Sequence, residues 1–297
     1  MGDSITGDKK SVFEWKTLTA IGAATWMVTS AGCSSEQAEP EEAVGETSES
    51  EPMQALAAAG EGEAAAGEGE GEGEGEGEGA GGADPAVDDA AFLTQLGLIR
   101  GHLQVGYELY DRDLPELAET HMKHPREEIY SALEPAFGTR GCAGFGDNLV
   151  TLTASVVERT AKADVKAAYE GLLAGIRACE ETAALDDAVV AANVIVNLVR
   201  TAGVEYEIGV IDGEIDNLHE YQDAWGFTQV AKDYAASPAF AGDAAAIAAA
   251  AQISDILAGL DDLWPSLDPQ AGVDGQAGRL FGASSEIEIA ALGVAGQ

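Results

Sequence analysis

Residues 88–112 read DDAAFLTQLGLIRGHLQVGYELYDR. Phe92, Leu96, Ile99, Leu103 and the Leu109–Tyr110 pair recur at helical spacing and mark one face. The spacing predicts a first helix over about 88–112. Outward from it, no stretch after Ala90 sustains the period-two alternation of a half-buried strand. Alanine is abundant instead, as in AFAGDAAAIAAAAQISDILAGL. The same reading places further helices at Leu114–Phe137, Asn148–Ala161, Val165–Thr182, Asp186–Ile211, Asp216–Ala235, Ala244–Leu263 and, more briefly, Ser285–Leu292. A break is expected at Pro125, which lacks a backbone donor. Glycine-rich residues 138–144, Asp212-Gly213, Ser237-Pro238 and Pro265–Pro269 separate the others, and Asp216 is the expected N-cap of the sixth helix. Short connections imply antiparallel neighbours. The fold class is therefore all-α, an antiparallel bundle of about seven to eight helices.

Charge is distributed unevenly around this domain. The 297-residue chain has 15 Lys+Arg against 53 Asp+Glu, a net charge of −38. Nucleic-acid binding of the ordinary kind is excluded, because neutralising phosphates requires clustered cations. Between Ser34 and Asp89 stand 18 acidic residues and no Lys or Arg. An (EG)n run occupies Gly67–Gly79. Such a segment cannot bury enough apolar surface to fold, and its coil would reach on the order of 40 Å. Residues 33–89 are expected to be a disordered acidic tether, and 90–297 a helical domain with possible halves 90–182 and 183–297.

The amino terminus has the pattern of an export signal. Lys9, Lys10 and Lys16 precede an uncharged run, TLTAIGAATWMVTSAG, over 17–32. That run is shorter than the roughly 20 residues a spanning helix needs. Ser30-Ala31-Gly32-Cys33 resembles the lipobox of bacterial lipoproteins, although that family prefers Leu where Ser30 stands. The resemblance implies lipidation of Cys33 and a periplasm-facing anchor; Ser34 then implies the outer membrane. A plain signal peptide cleaved nearby is the competing reading.

The four histidines all lie in the domain. His102 and His124 stand 11 residues either side of a turn near Asp113, so an antiparallel pair places them at one height. His121 is three residues before His124, and Glu127 and Glu128 follow it at helical spacing. Asp216, His219 and Asp223 share one face of the sixth helix, and Glu205 and Glu207 sit across the Gly213 turn. Imidazole and carboxylate on facing helices are a donor set for iron, copper or zinc. The candidate metal ligands are His102, His121, His124, Glu127, Glu128, His219 and Asp223. Separate hydrogen-bonded or surface histidines are the alternative. No pattern of a hydrolase triad or zinc protease occurs, and no enzymatic role is expected. Cys142 and Cys179 fall at nearly the same level either side of a turn near Lys162. They are candidates for a disulfide or for two buried thiols.

Three motifs carry a family resemblance. Gly101-His102-Leu103 with His121-Met122-Lys123-His124-Pro125 resembles exported helical proteins of proteobacteria. Tyr206–Tyr221, with Asp212-Gly213 and Glu220-Tyr221, is similar to helical periplasmic modules that accompany bacterial iron permeases. His124-Pro125-Arg126-Glu127 fits the His-x-x-Glu of imelysin-like proteins, with Met122 where that family has Gly. The resemblance implies iron binding by His124 and Glu127 and hand-off to a transporter. A metal-free helical module docking on an envelope complex is the second expectation.

Overall fold

The computed structural model describes residues 82–295. The export signal of 1–32, the lipidation of Cys33 and the acidic segment up to residue 81 lie outside the described residues.

Among the described residues the chain forms eight long helices, two short 3-10 helices (Pro238–Ala241 and Asp261–Leu263) and one small hairpin. Helix α1 spans Asp89–Asp111, capped by the Asp88 side chain, which accepts from the Ala91 amide. This arrangement satisfies a donor that has no partner within the helix. Phe92, Leu96, Ile99 and Leu103 are all buried. Helix α2 runs over 115–140. It is α-helical over Pro115–His124, π-helical over Pro125–Tyr130 and α-helical again over Ser131–Arg140. The break expected at Pro125 is therefore a widened turn: with the proline donor missing, the ladder shifts register for one turn and resumes. Helix α3 is Gly146–Val157 and α4 is Lys162–Glu180. Helix α5, Ala188–Gly209, is capped by Asp187. Helix α6 is Leu218–Ala235, α7 is Ala244–Ala258 and α8 is Gly278–Ala295. The last is longer than the expected 285–292.

Between α5 and α6 the chain forms strands β1 (Val210–Ile211) and β2 (Glu214–Ile215), antiparallel across Asp212-Gly213. Both turn residues have positive φ, as a tight hairpin demands. The helical reading of 210–211 is corrected accordingly. So is Asp216 as N-cap: that role falls to Asn217, whose side chain accepts from the His219 amide, and Asp216 lies outside the helix, exposed.

Residues 84–89, read as the end of the tether, are held on the bundle. Arg140 Nε donates to Pro85 O (2.6 Å) and its Nη1 to Asp89 (2.7 Å), while Asp89 accepts from the Ala184 amide at 3.0 Å. The Arg140 bond holds the Asp89 carboxyl below its usual range. The Arg140 guanidinium also covers the Phe92 ring, 4.5 Å from its centroid. Cys142 and Cys179 are joined by a disulfide, with Cα atoms 5.1 Å apart.

Close helix approach at glycines determines where the site forms. A Cβ at Gly101 of α1 would stand 2.4 Å from Phe227 Cδ1, and one at Gly226 of α6 would stand 2.5 Å from Gly101 O. Neither fits, so only paired glycines let these backbones touch. Gly97 and Gly106 likewise receive Leu198 and Met122. Tyr206, Tyr221 and Phe227 are buried in the same core, and Trp225 packs on it half-buried. Two segments, Ala188–Gly209 and Ala244–Leu263, are long and apolar enough to cross a membrane on length and composition alone. The first is the α5 core helix, and most of it is buried inside the bundle.

Candidate metal centre

Three helices deliver one buried cluster. His102 comes from α1, His121 from α2 and Asp223 from α6. All three are buried, and their potential ligand atoms lie within 4.8 Å of one another. His102 Nδ1 is 2.7 Å from Asp223 Oδ1, and His121 Nδ1 is 2.9 Å from the same oxygen. The Gly101–Gly226 contact brings α1 and α6 close enough for the first of these. The His102 ring also packs perpendicular to the Phe227 ring, centroids 5.1 Å apart, which covers one side with apolar surface.

Gln222 fixes the orientation of His121. Its Nε2 donates to Leu267 O at 2.6 Å. A carbonyl only accepts, so the amide nitrogen must face it. The amide oxygen, Oε1, then lies 2.8 Å from His121 Nε2, and that ring nitrogen must carry a proton to donate. A neutral imidazole has one donor and one acceptor. His121 Nδ1 therefore presents a lone pair to a carboxylate oxygen at hydrogen-bond distance. Two lone pairs at that separation require a cation between them, either a proton or a metal ion.

Asp223 is suited to that role. It is fully buried, which works against its charge. The two imidazoles outweigh burial and hold its carboxyl well below the usual 3.8. Its second oxygen, Oδ2, is buried and has no hydrogen-bond partner among the described residues. An oxygen so placed is costly unless a cation or donor completes it. Two imidazoles and a carboxylate are able to coordinate a metal ion.

The other sequence candidates surround this cluster at varying distance. The His124 ring lies 6.2 Å from His102, and the His219 ring 5.5 Å from His121, both edge-on. Both are half-buried. All four histidines thus gather in one region, with His102 and His121 at its buried centre. Glu128 lies 3.9 Å from His124, and Glu127 is exposed. Glu128 thus keeps the i,i+4 neighbourhood of His124 that helical spacing assigns it. Gln222 was not among the sequence candidates. Its one sequence signal is its place three residues after His219, a spacing that shares a helical face.

Comparison with known proteins bears on the second part of the bundle. No curated protein and no solved structure matches the chain. Residues 180–288 match the family model of the iron permease-associated 4-helix bundle domain. The matched stretch contains α5, α6, α7 and most of α8. It supplies Gln222 and Asp223, whereas His102 and His121 come from helices before it. Residues 180–288 form a helical domain resembling an iron permease-associated four-helix bundle module.

Proposed function

We propose that this chain is a non-enzymatic metal-binding accessory protein of the bacterial envelope, anchored through Cys33, that captures iron for hand-off to a transporter. His102, His121 and Asp223 are the inner ligands, with His124 and His219 next to them and Glu128 beside His124. The observation that carries the reading is the contact of His121 Nδ1 with Asp223 Oδ1 at 2.9 Å. With Nε2 committed to Gln222, a proton or a metal ion stands between those two atoms, and a metal ion would also engage His102. The donor set of two imidazoles and one carboxylate suits ferrous iron. The match of 180–288 to an iron permease-associated module supports a transporter as partner.

This chain's own groups define how a metal would be held. The Phe227 ring and the buried core would exclude water from one side. Gln222 keeps the His121 ring in one tautomer, as outer partners of metal-bound histidines commonly do. Asp223 supplies the compensating negative charge.

The test is metal binding by the full chain, stripped of metal and titrated anaerobically with Fe(II), then with Zn(II) and Cu(II). The expected result is one ion per chain and a rise in melting temperature that His121→Ala abolishes. Binding only to the folded state stabilises it by about 2.7 kcal/mol at 100 times Kd. Unchanged melting with all three metals, and no bound ion, overturns the reading and leaves the cluster as a polar element of the core.

A further inference from the structure

We propose that Glu205 supplies a second carboxylate to the His102–His121–Asp223 cluster, making it a two-imidazole, two-carboxylate site for a divalent cation. The proposal rests on the metal-binding reading above and extends it by a residue of α5.

Helix register places Glu205 at the cluster. Helix α6 is antiparallel to α5, because the β1–β2 hairpin reverses the chain between them. It is also antiparallel to α1: Arg100 reaches Asp233 while His102 reaches Asp223. Helices α1 and α5 therefore run parallel. Their contact is pinned by Asn197 Nδ2 donating to Thr94 Oγ1 at 3.2 Å, an offset of 103 residues. Carried along two parallel helices, that offset sets Glu205 level with His102.

The face is correct as well. Leu198 packs on Gly97 of α1, where a Cβ would meet it at 3.1 Å. Glu205 follows Leu198 by about two helical turns and so returns to the same face. One turn further, Gly209 is in backbone contact with α6, since a Cβ there would stand 2.5 Å from Tyr221 N. Stepping back from Gly209 to Glu205 along α5 corresponds to stepping forward from Tyr221 through Gln222 and Asp223 along α6. Glu205 thus stands where α1, α5 and α6 converge.

Its burial gives the placement a chemical meaning. Glu205 is 2% exposed. A carboxylate in a core persists only where cations or donors compensate it. Two carboxylates beside two neutral imidazoles balance the charge of a divalent ion. With no thiolate in the set, soft monovalent copper is disfavoured relative to Fe(II), Co(II) or Zn(II).

The experiment uses Co(II) as the probe, because its visible d–d bands report ligand number and type. The metal-free full chain, Glu205→Gln and Glu205→Asp are titrated with Co(II). Both variants are expected to bind about 10–100-fold more weakly, and Glu205→Gln to shift the d–d spectrum of whatever Co(II) it retains. A crystal of the wild-type chain with Co(II), located by anomalous scattering, tests the assignment without any variant. A Glu205 oxygen at ligand distance supports it. A Glu205 oxygen far from the ion, or an unchanged Kd and spectrum in both variants, overturns the role of Glu205 while the metal site stands. Failure of the wild-type chain to bind Co(II), Fe(II) or Zn(II) overturns the metal-binding reading and this proposal with it.

Discussion

His121 Nδ1 lies 2.9 Å from Asp223 Oδ1, between residues 102 positions apart in the chain. The far side of the same ring is held by Gln222. A metal ion entering between His121 Nδ1 and Asp223 Oδ1 would take the place of any proton the two atoms share. Metal uptake near neutral pH is expected to release about one proton per ion. Calorimetric titration in buffers of different ionisation enthalpy counts that proton. A count of zero would show that the lone pair of His121 does not face Asp223.

Asp223 links the site to acid stability. Burial opposes its charge, but the two imidazoles dominate, and its carboxyl is held below the ordinary 3.8. A lowered folded-state value means that its contribution is fully present above the unfolded value. That contribution is lost as pH falls through the folded one. Asp223→Asn should therefore be less stable than wild type at neutral pH, by about 3–5 kcal/mol for a broken buried pair. The gap should narrow below pH ~3.8. Denaturant melts of both proteins across the acid range measure it, and a gap independent of pH would refute the ionised assignment.

Gln222 would act on a bound metal only through His121, whose Nε2 it holds. Gln222→Leu keeps the side-chain volume similar and removes the acceptor that fixes Nε2–H. Metal affinity is expected to fall about 10–100-fold, as for other outer partners of histidine ligands. Far-ultraviolet circular dichroism should stay unchanged. Equal affinity in the variant and wild type would separate Gln222 from the site.

Gly226→Ala tests the close approach that assembles the cluster. The added methyl would stand 2.5 Å from Gly101 O, and backbone cannot swing aside as a side chain does. Overpacking of this kind costs about 1–3 kcal/mol. Because His102 follows Gly101 directly, the variant should also lose metal affinity. Gly138→Ala, at an exposed helical position with nothing within 4 Å of an added Cβ, is the control: it should leave metal affinity unchanged and, if anything, stabilise the helix by up to about 1 kcal/mol. Wild-type affinity in Gly226→Ala would show that α1 and α6 tolerate separation.

Much of the bundle was legible in the sequence because helical periodicity is a local property. Phe92, Leu96, Ile99 and Leu103 predict a buried face, and the structure buries all of them. Helix α1 lies within one residue of the expected 88–112 at each end. Pro125 marked an irregularity, but a missing donor does not reveal whether the helix stops or widens. The geometry of α2 settled that, and it leaves Glu128 3.9 Å from His124 and Glu127 exposed. The hairpin at 210–215 escaped notice because two-residue strands carry no periodic signal.

For the site, the sequence by itself determined that His102, His121 and His124 share one level of an antiparallel pair, since equal chain lengths either side of a turn imply equal heights. Only the tertiary structure decided that His102 and His121 meet Asp223 at the buried centre, while Glu127 points to solvent. Spacing along one helix assigns faces to that helix and says nothing of which residue on another helix arrives opposite. That inter-helix register is set by packing, here by the Gly101–Gly226 backbone contact. It places the Asp223 carboxylate against two imidazoles drawn from helices that never adjoin α6 in the chain.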